Sequence, residues 1–369
     1  MSDPQNNSRR DFITGESLRS KIEDRLNGRA GAESAQEAET RKPENLFLQH
    51  FSRNAMACEF QVFWNLLRSD NFGAAAIKAL GEVDRIETLF SIFRADSELS
   101  RVNEQAAVDA QLVSSETFDV FTLALQIWRD TQGAFDIAST PLTRAWGFFD
   151  RKPRVPDEAA IAKALESSSS RGIVLDPVNQ TVHFKQPNLE VNFHSIGKGF
   201  ALDQMASRIV GLGFDEFIVH GGQSSVVARV SDPAYGTVCE WPVALTHPLF
   251  PSTTLGTVFL TNESLATSGS ARQAIIHRGE RLSHVIDPRT GWPTNNFLSV
   301  TVIHPRAAVS DALATAFNVM KWEEILSTCR LFPEAKVIAI TENKSSLSGV
   351  ELKQHNVEPD QILLSHEES

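Results

Sequence analysis

Between residues 57 and 341 two hydrophobic periods take turns along the chain, and this limits it to folds that mix helices with sheets. Over 57–64, Phe60, Val62 and Trp64 recur at every second position, the period of a half-buried strand. Over 74–90, Ile77, Leu80, Val83, Ile86 or Glu87, and Phe90 recur at three-to-four spacing, the period of an amphipathic helix. The helical period returns over 114–130 on Phe118, Phe121, Leu125 and Trp128, with Ser114 or Ser115 as cap. It returns again over 197–210 on Leu202, Met205 and Ile209, with Gly213 as its stop. Shorter helices are expected at 157–165 and 310–320. Strands are expected at 172–175 and 181–184, around the turn signal Asp176-Pro177-Val178-Asn179-Gln180. Further strands are expected at 189–193, 216–219, 224–230, 242–246, 257–261, 298–304 and 335–341. Several of these strands follow one another without a helix between them, so the expected class is α+β, not a strict βαβ repeat.

No internal repeat and no proline-rich linker divides residues 46–350, so one compact body is expected there. A flexible polar tail is expected at 1–45, where Phe12 is the only aromatic residue, and a C-terminal tail at 351–369. Within the first stretch, Ser8-Arg9-Arg10-Asp11-Phe12-Ile13 looks like a twin-arginine export signal. The residues that follow, Thr14 to Lys21, are charged where such a signal needs an apolar segment. A cytoplasmic location is therefore expected, with a periplasmic one as the alternative. The 46 acidic and 35 basic residues leave a net charge of -11, which argues against a nucleic-acid partner. No apolar run reaches the roughly 18 residues of a membrane span. Cys58, Cys239 and Cys329 are too few and too far apart for a disulfide framework or a Cys-x-x-Cys metal site.

Four short segments carry chemical side chains. Ser195-Ile196-Gly197-Lys198-Gly199 lies between an expected strand and helix. Glycines there allow close backbone approach, the helix N-terminus attracts anions, and Lys198 suits phosphate, although a tight turn with a solvated lysine reads equally well. His220-Gly221-Gly222-Gln223 ends a strand, either as a ligand-contacting turn or as a plain hairpin. Residues 266–270 and 283–291 gather Ser, His, Asp and Thr, and His284 stands three residues before Asp287, a base near a carboxylate. Asp311 and Thr315 are i and i+4 on one helix face. They are hard oxygen donors suited to Mg²⁺, although by spacing alone an N-terminal cap is the simpler reading.

Taken in order, the segments resemble the FAD:protein FMN transferase family, the ApbE-type flavin transferases. The resemblance begins at Met56-Ala57-Cys58-Glu59 and ends near Asn318. It takes in the stretch from Phe90 to Asn103, Gly133-Ala134-Phe135-Asp136, Trp146-Gly147-Phe148, Ile196-Gly197-Lys198-Gly199-Phe200-Ala201-Leu202-Asp203, residues 283–291 and residues 299–315. It implies an ApbE-like fold of mixed sheets with packed helices. It also implies Mg²⁺-dependent transfer of FMN from FAD to a Thr hydroxyl of an acceptor protein, with release of AMP. By that resemblance Asp311, Thr315 and the Gly197 carbonyl would bind Mg²⁺, and Lys198 would lie near the phosphates. His284 would be the base, with Asp287 ordering its loop. Met56, Phe93, Ser97, Trp146, Asp203, Gly221, Gly222, Ser268, Gly269 and Thr290 would line the FAD pocket. The chain departs from the family pattern at Asn192-Phe193-His194-Ser195, where Asp-Leu-Gly-Gly is usual, and at Gln223 and Ser270, where Asp is usual. These departures keep two other readings in play: FAD hydrolysis to FMN and AMP, and FAD binding without turnover.

Overall fold

The computed structural model describes residues 48–65, 71–231, 240–270, 274–277, 280–346 and 348–365. The expected tail at 1–45 lies outside them. A hairpin of β1 (Leu48–Ala55) and β2 (Cys58–Asn65) turns on Met56 and Ala57, both with positive φ. Helices α1 (Phe72–Phe90) and α2 (Glu98–Gln105) follow. A short β3 (Gln111–Leu112) leads into α3 (Ser115–Asp130), α4 (Thr140–Ala145), α5 (Glu158–Ser167) and the hairpin of β4 (Ile173–Asp176) and β5 (Thr181–Phe184). Then come α6 (Gly197–Val210), β6 (Phe217–Gly221), β7 (Ser225–Arg229), β8 (Trp241–Thr246), β9 (Thr254–Leu260) and β10 (Ser264–Gly269). A two-stranded β11 (Ala274–His277) and β12 (Glu280–Ser283) precedes β13 (Ser299–His304), α7 (Ala307–Val319), α8 (Trp322–Cys329), β14 (Lys336–Glu342), β15 (Val350–His355) and β16 (Ile362–Leu364).

Among the described residues, one antiparallel sheet of eight strands runs in the order β1-β2-β6-β7-β10-β13-β14-β15. Strand side chains alternate between its faces. Phe60, Val62, Phe217, Val219, Val227, Val300, Val302 and Val337 join the main core, which includes residues of α1, α3, α6 and α7. Phe63, Ile218, Val226, Leu265, Ile303 and Ile338 turn the other way, onto a second core with Trp241 and Val243 of β8 and Val258 and Leu260 of β9. The architecture is therefore a helical layer, the long sheet, and the three-stranded sheet β16-β9-β8, in keeping with the expected α+β class.

Three expectations are corrected. Residues 351–369 are not a free tail as far as they are described, because β15 pairs along β14 and β16 pairs with β9. Residues 189–193 form no strand. At Val191 the backbone polar groups are met instead by a side chain: the Asn103 amide donates to the Val191 carbonyl and accepts from the Val191 N–H, both at 2.9 Å. Ile77, expected on the inward stripe of α1, is exposed.

Burial in the sheet also constrains one titratable ring. His220 on β6 bonds through Nε2 to Gln61 Oε1 at 3.0 Å, stacks on Phe63, and has no hydrogen-bond partner at Nδ1 among the described residues. Desolvation, and secondarily the nearby His50, push its pKa down to about 4. The folded-state value lies below the unfolded value of about 6.5, so the stability tied to neutral His220 is complete above pH ~6.5 and is lost as pH falls toward 4. The gap corresponds to about 3 kcal/mol. Urea unfolding from pH 7 to 4 should therefore show a steeper loss for the parent protein than for His220→Phe. Equal slopes would remove this ring as a cause of acid sensitivity.

Candidate active site

The site is built where two helices begin side by side. The N-terminus of α6 abuts that of α7 so closely that a Cβ on Gly199 would lie 2.2 Å from the Ala307 carbonyl oxygen, so only glycine fits. Carboxylates from each helix tie the other. Asp203 of α6 accepts from the Ala307 and Ala308 N–H groups at 2.8 and 3.0 Å, satisfying first-turn donors that α7 cannot pair internally. Burial raises the Asp203 pKa against the pull of these two bonds. Asp311 of α7 accepts from the Gly199 N–H at 2.9 Å, and Lys198 Nζ stands 3.5 Å from the same Oδ2. Its Oδ1 accepts from the Ser225 hydroxyl at 2.8 Å. One turn on, Thr315 Oγ1 donates to the Asp311 carbonyl at 3.2 Å, which orients the hydroxyl along the helix.

Asp311, Thr315 and Lys198 form one wall of a cleft of about 510 Å³. Other parts of its lining are Phe93, Asp136, Phe148, Phe149, His194, Ser268, Gly269 and His284. Phe93 is 73% exposed and stacks on Phe149 and on His194, with ring centroids 5.7 and 6.1 Å apart. Desolvation, and secondarily the Lys198 charge, lower the His194 pKa. His284 directly follows β12, and its ring meets the edge of Phe148.

The loop after His284 is pinned at several points. The Asp287 carboxylate accepts from the Arg289 backbone N–H, Nε and Nη2 at 2.8–3.1 Å. The Asp287 carbonyl accepts from the Thr290 and Gly291 N–H groups, and the Asp287 N–H donates to the Trp292 carbonyl. Trp146, fully buried, donates through Nε1 to the Gly291 carbonyl at 2.8 Å. Asp287 and Trp146 thus hold the loop and do not line the cleft, while Thr290 is exposed on it.

The structure brings together seven of the expected site residues: Phe93, Lys198, Ser268, Gly269, His284, Asp311 and Thr315. Others support the site from behind. Ser97 caps α2 and donates to the Ser91 carbonyl at the foot of the Phe93 loop. Met56 sits on the β1–β2 turn near Gly197, its N–H bonded to Glu87. Gly197 is buried at the start of α6, outside the cleft lining. Gly221 and Gly222 also lie outside it, facing Phe60 and Cys58 of β2. Cys58 is half-buried, and desolvation pushes its thiol up to about 11, so it stays protonated at neutral pH.

The departures from the family pattern are locally satisfied. Asn192 donates to Thr140 Oγ1 at 2.6 Å and accepts from the His194 N–H. Ser270 donates to the Phe297 carbonyl at 2.6 Å, a bond no carboxylate could make. The local sequence does not mark Asp136, His194 or Ser225 as a site residue. Asp136 lies within the quoted Gly-Ala-Phe-Asp segment, where it accepts from Ser170 and the Ala138 N–H. Ser225 lies in an apolar strand run and gives no local signal.

The fold is shared with solved structures of flavin transferases. The match to the flavin transferase ApbE from Vibrio cholerae has a TM-score of 0.72 at 24% identity, covering 85% of this chain and 98% of that one. The match to the ApbE protein from Thermotoga maritima has a TM-score of 0.73 at 23% identity, covering 84% and 97%. The chain belongs to the ApbE family, whose model matches residues 56–339. It is 32% identical over 278 residues to an FAD:protein FMN transferase of Klebsiella pneumoniae (strain 342), spanning 73% of this chain and 78% of that protein. It is 31% identical over 255 residues to the FAD:protein FMN transferase of Escherichia coli (strain K12), spanning 68% and 72%.

The clamp on the His284 loop is testable. Asp287→Ala removes the side-chain acceptor of the Arg289 N–H, and with about 1.4 kcal/mol of local protection gone that amide should exchange roughly tenfold faster. Unchanged exchange would show that the remaining backbone bonds suffice to hold the turn.

Proposed function

We propose that the protein is an FAD:protein FMN transferase that moves FMN from FAD to a Thr hydroxyl of an acceptor protein and releases AMP. The observation that carries the reading is the convergence in one cleft of His284, Lys198, Asp311 and Thr315 with the aromatic face of Phe93. In this reading the acceptor oxygen attacks the phosphorus on the FMN side of the pyrophosphate. The new O–P bond replaces the bond to the bridging oxygen, and AMP departs with that oxygen. His284 takes the proton of the attacking hydroxyl. Lys198 places a positive charge beside the phosphates, and Phe93 offers a stacking face for a flat ring.

The donor set also fits Mg²⁺. Among the described residues no three His, Cys, Asp or Glu side chains converge. By the family resemblance, a cation at this wall would be held by the Asp311 carboxylate and the Thr315 hydroxyl, with the Gly197 carbonyl at the buried start of α6 as third ligand, keeping waters and taking phosphate oxygens. When bound it would offset charge on the phosphates. For localisation we propose the cytoplasm, with the periplasm as the alternative that Ser8-Arg9-Arg10-Asp11-Phe12-Ile13 keeps in play; export of a reporter fused to residues 1–45 would favour the alternative.

The deciding experiment incubates the protein with FAD, Mg²⁺ and candidate acceptors, then measures intact acceptor mass and AMP. Gain of one FMN by the acceptor supports transfer. AMP release without that gain assigns hydrolysis, and FAD binding without either product assigns a carrier. His284→Ala should slow transfer by roughly 10²–10⁴-fold while leaving FAD affinity nearly unchanged, because a base for the acceptor does not grip the cofactor. Transfer at the parent rate would place the base elsewhere. Asp311→Ala should abolish turnover, with Thr315→Val milder because a hydroxyl holds a divalent cation less strongly than a carboxylate.

A further inference from the structure

The Asp311 carboxylate is gripped from two elements far apart in sequence. From α6, the Gly199 N–H and Lys198 Nζ reach Oδ2. From β7, the Ser225 hydroxyl reaches Oδ1 at 2.8 Å. Ser225 is fully buried and Asp311 is 7% exposed, so this bond is shielded from water. Asp311 lines the cleft and Ser225 does not, so the serine can touch a ligand's surroundings only through the carboxylate. Its place is set by the turn before it. Gly222 and Gln223 both have positive φ, and Gly221 pairs with Ser225 across the β6–β7 hairpin. The Gly-Gly-Gln turn therefore delivers to the site a hydroxyl two residues downstream, while its glycines pack under β2.

We propose that Ser225 is a positioning residue for a divalent cation: its hydroxyl locks the rotamer of Asp311, so that the cation meets a carboxylate already aimed into the cleft. This rests on the reading of Asp311 as a cation ligand given above. An unheld carboxylate would have to lose torsional freedom on binding. With Gly199 on one oxygen and Ser225 on the other, both torsions are set before the cation arrives. Outer groups that hydrogen-bond a ligating carboxylate typically account for about 10–100-fold in metal affinity.

The test is binding of Mn²⁺ alone, followed through the free-ion signal in electron paramagnetic resonance, with no FAD or acceptor present. Ser225→Ala should weaken Mn²⁺ binding by about 10–100-fold. Its melting temperature without cation should stay near that of the parent. Ser225→Thr keeps the hydroxyl and should restore affinity, which a role in packing volume alone does not predict. Ser225→Cys keeps the volume with a weak donor and should behave like the alanine variant, which covers the case in which alanine fails to fold. A folded Ser225→Ala or Ser225→Cys protein that binds Mn²⁺ as tightly as the parent overturns the proposal. A parent protein that binds FAD but no Mn²⁺ overturns the cation reading of Asp311 itself, and this proposal with it.

Discussion

The approach of the α6 and α7 N-termini is the constraint on which the rest depends. Two helix starts side by side present their unpaired N–H groups to each other, an arrangement that is costly unless acceptors stand between them. Asp203 and Asp311 supply those acceptors in opposite directions, each anchored on one helix and bonded to the backbone of the other. The absence of a side chain at Gly199 allows the contact. Because Asp311 serves as both tie and cleft wall, the fold's own requirement for a carboxylate there leaves one beside Lys198 and Thr315.

Around that junction, rigidity is distributed unevenly. The His284 loop is fixed by Arg289, Trp146 and backbone bonds within residues 285–294. Phe93 instead hangs over the cleft from a short connection whose foot is fixed by Ser97 and Ser100 on the Ser91 carbonyl. His284, the base in the proposed reading, thus precedes a pinned loop, while Phe93 stands exposed and meets the cleft through ring contacts alone. That division suits the proposed reaction, which needs a placed proton acceptor and a cleft that admits a large flat substrate.

What could be read from the sequence was what is local. The spacing of Asp311 and Thr315 puts both on one helix face, although spacing alone favours a cap there, and the density of Ser, His, Asp and Thr near His284 marks a loop where chemistry is expected. What depends on partners distant in the chain was not. The Gly221-Gly222 pair reads either as a ligand-contacting turn or as a plain hairpin until Phe60 and Cys58 of β2 are placed against it. Residues 189–193 read as a strand because Leu189, Val191 and Phe193 alternate with polar Glu190 and Asn192, yet at Val191 the Asn103 side chain takes the place of a neighbouring strand. The segment after 350 reads as a tail because an edge strand buries only part of its surface, and β14 supplies the ladder that its polar residues do not announce. Ser225 sits among valines, and nothing within ten residues of it hints at Asp311.

That last placement ties the chemistry to strand register. Along β7, Val226 and Ala228 face one core and Val227 the other, so both faces are apolar and hydrophobicity alone does not choose between registers. A slip that brought Val226 to the Ser225 position would still bury valines on both sides, but it would set a hydrocarbon where the Asp311 carboxylate now meets a hydroxyl. The left-handed pair Gly222 and Gln223 sets the hairpin count and so excludes that slip. A misregistered chain could thus pass as folded by bulk measures of compactness or secondary structure while being chemically blank. The turn acts as a proofreading element for the active site without meeting the substrate.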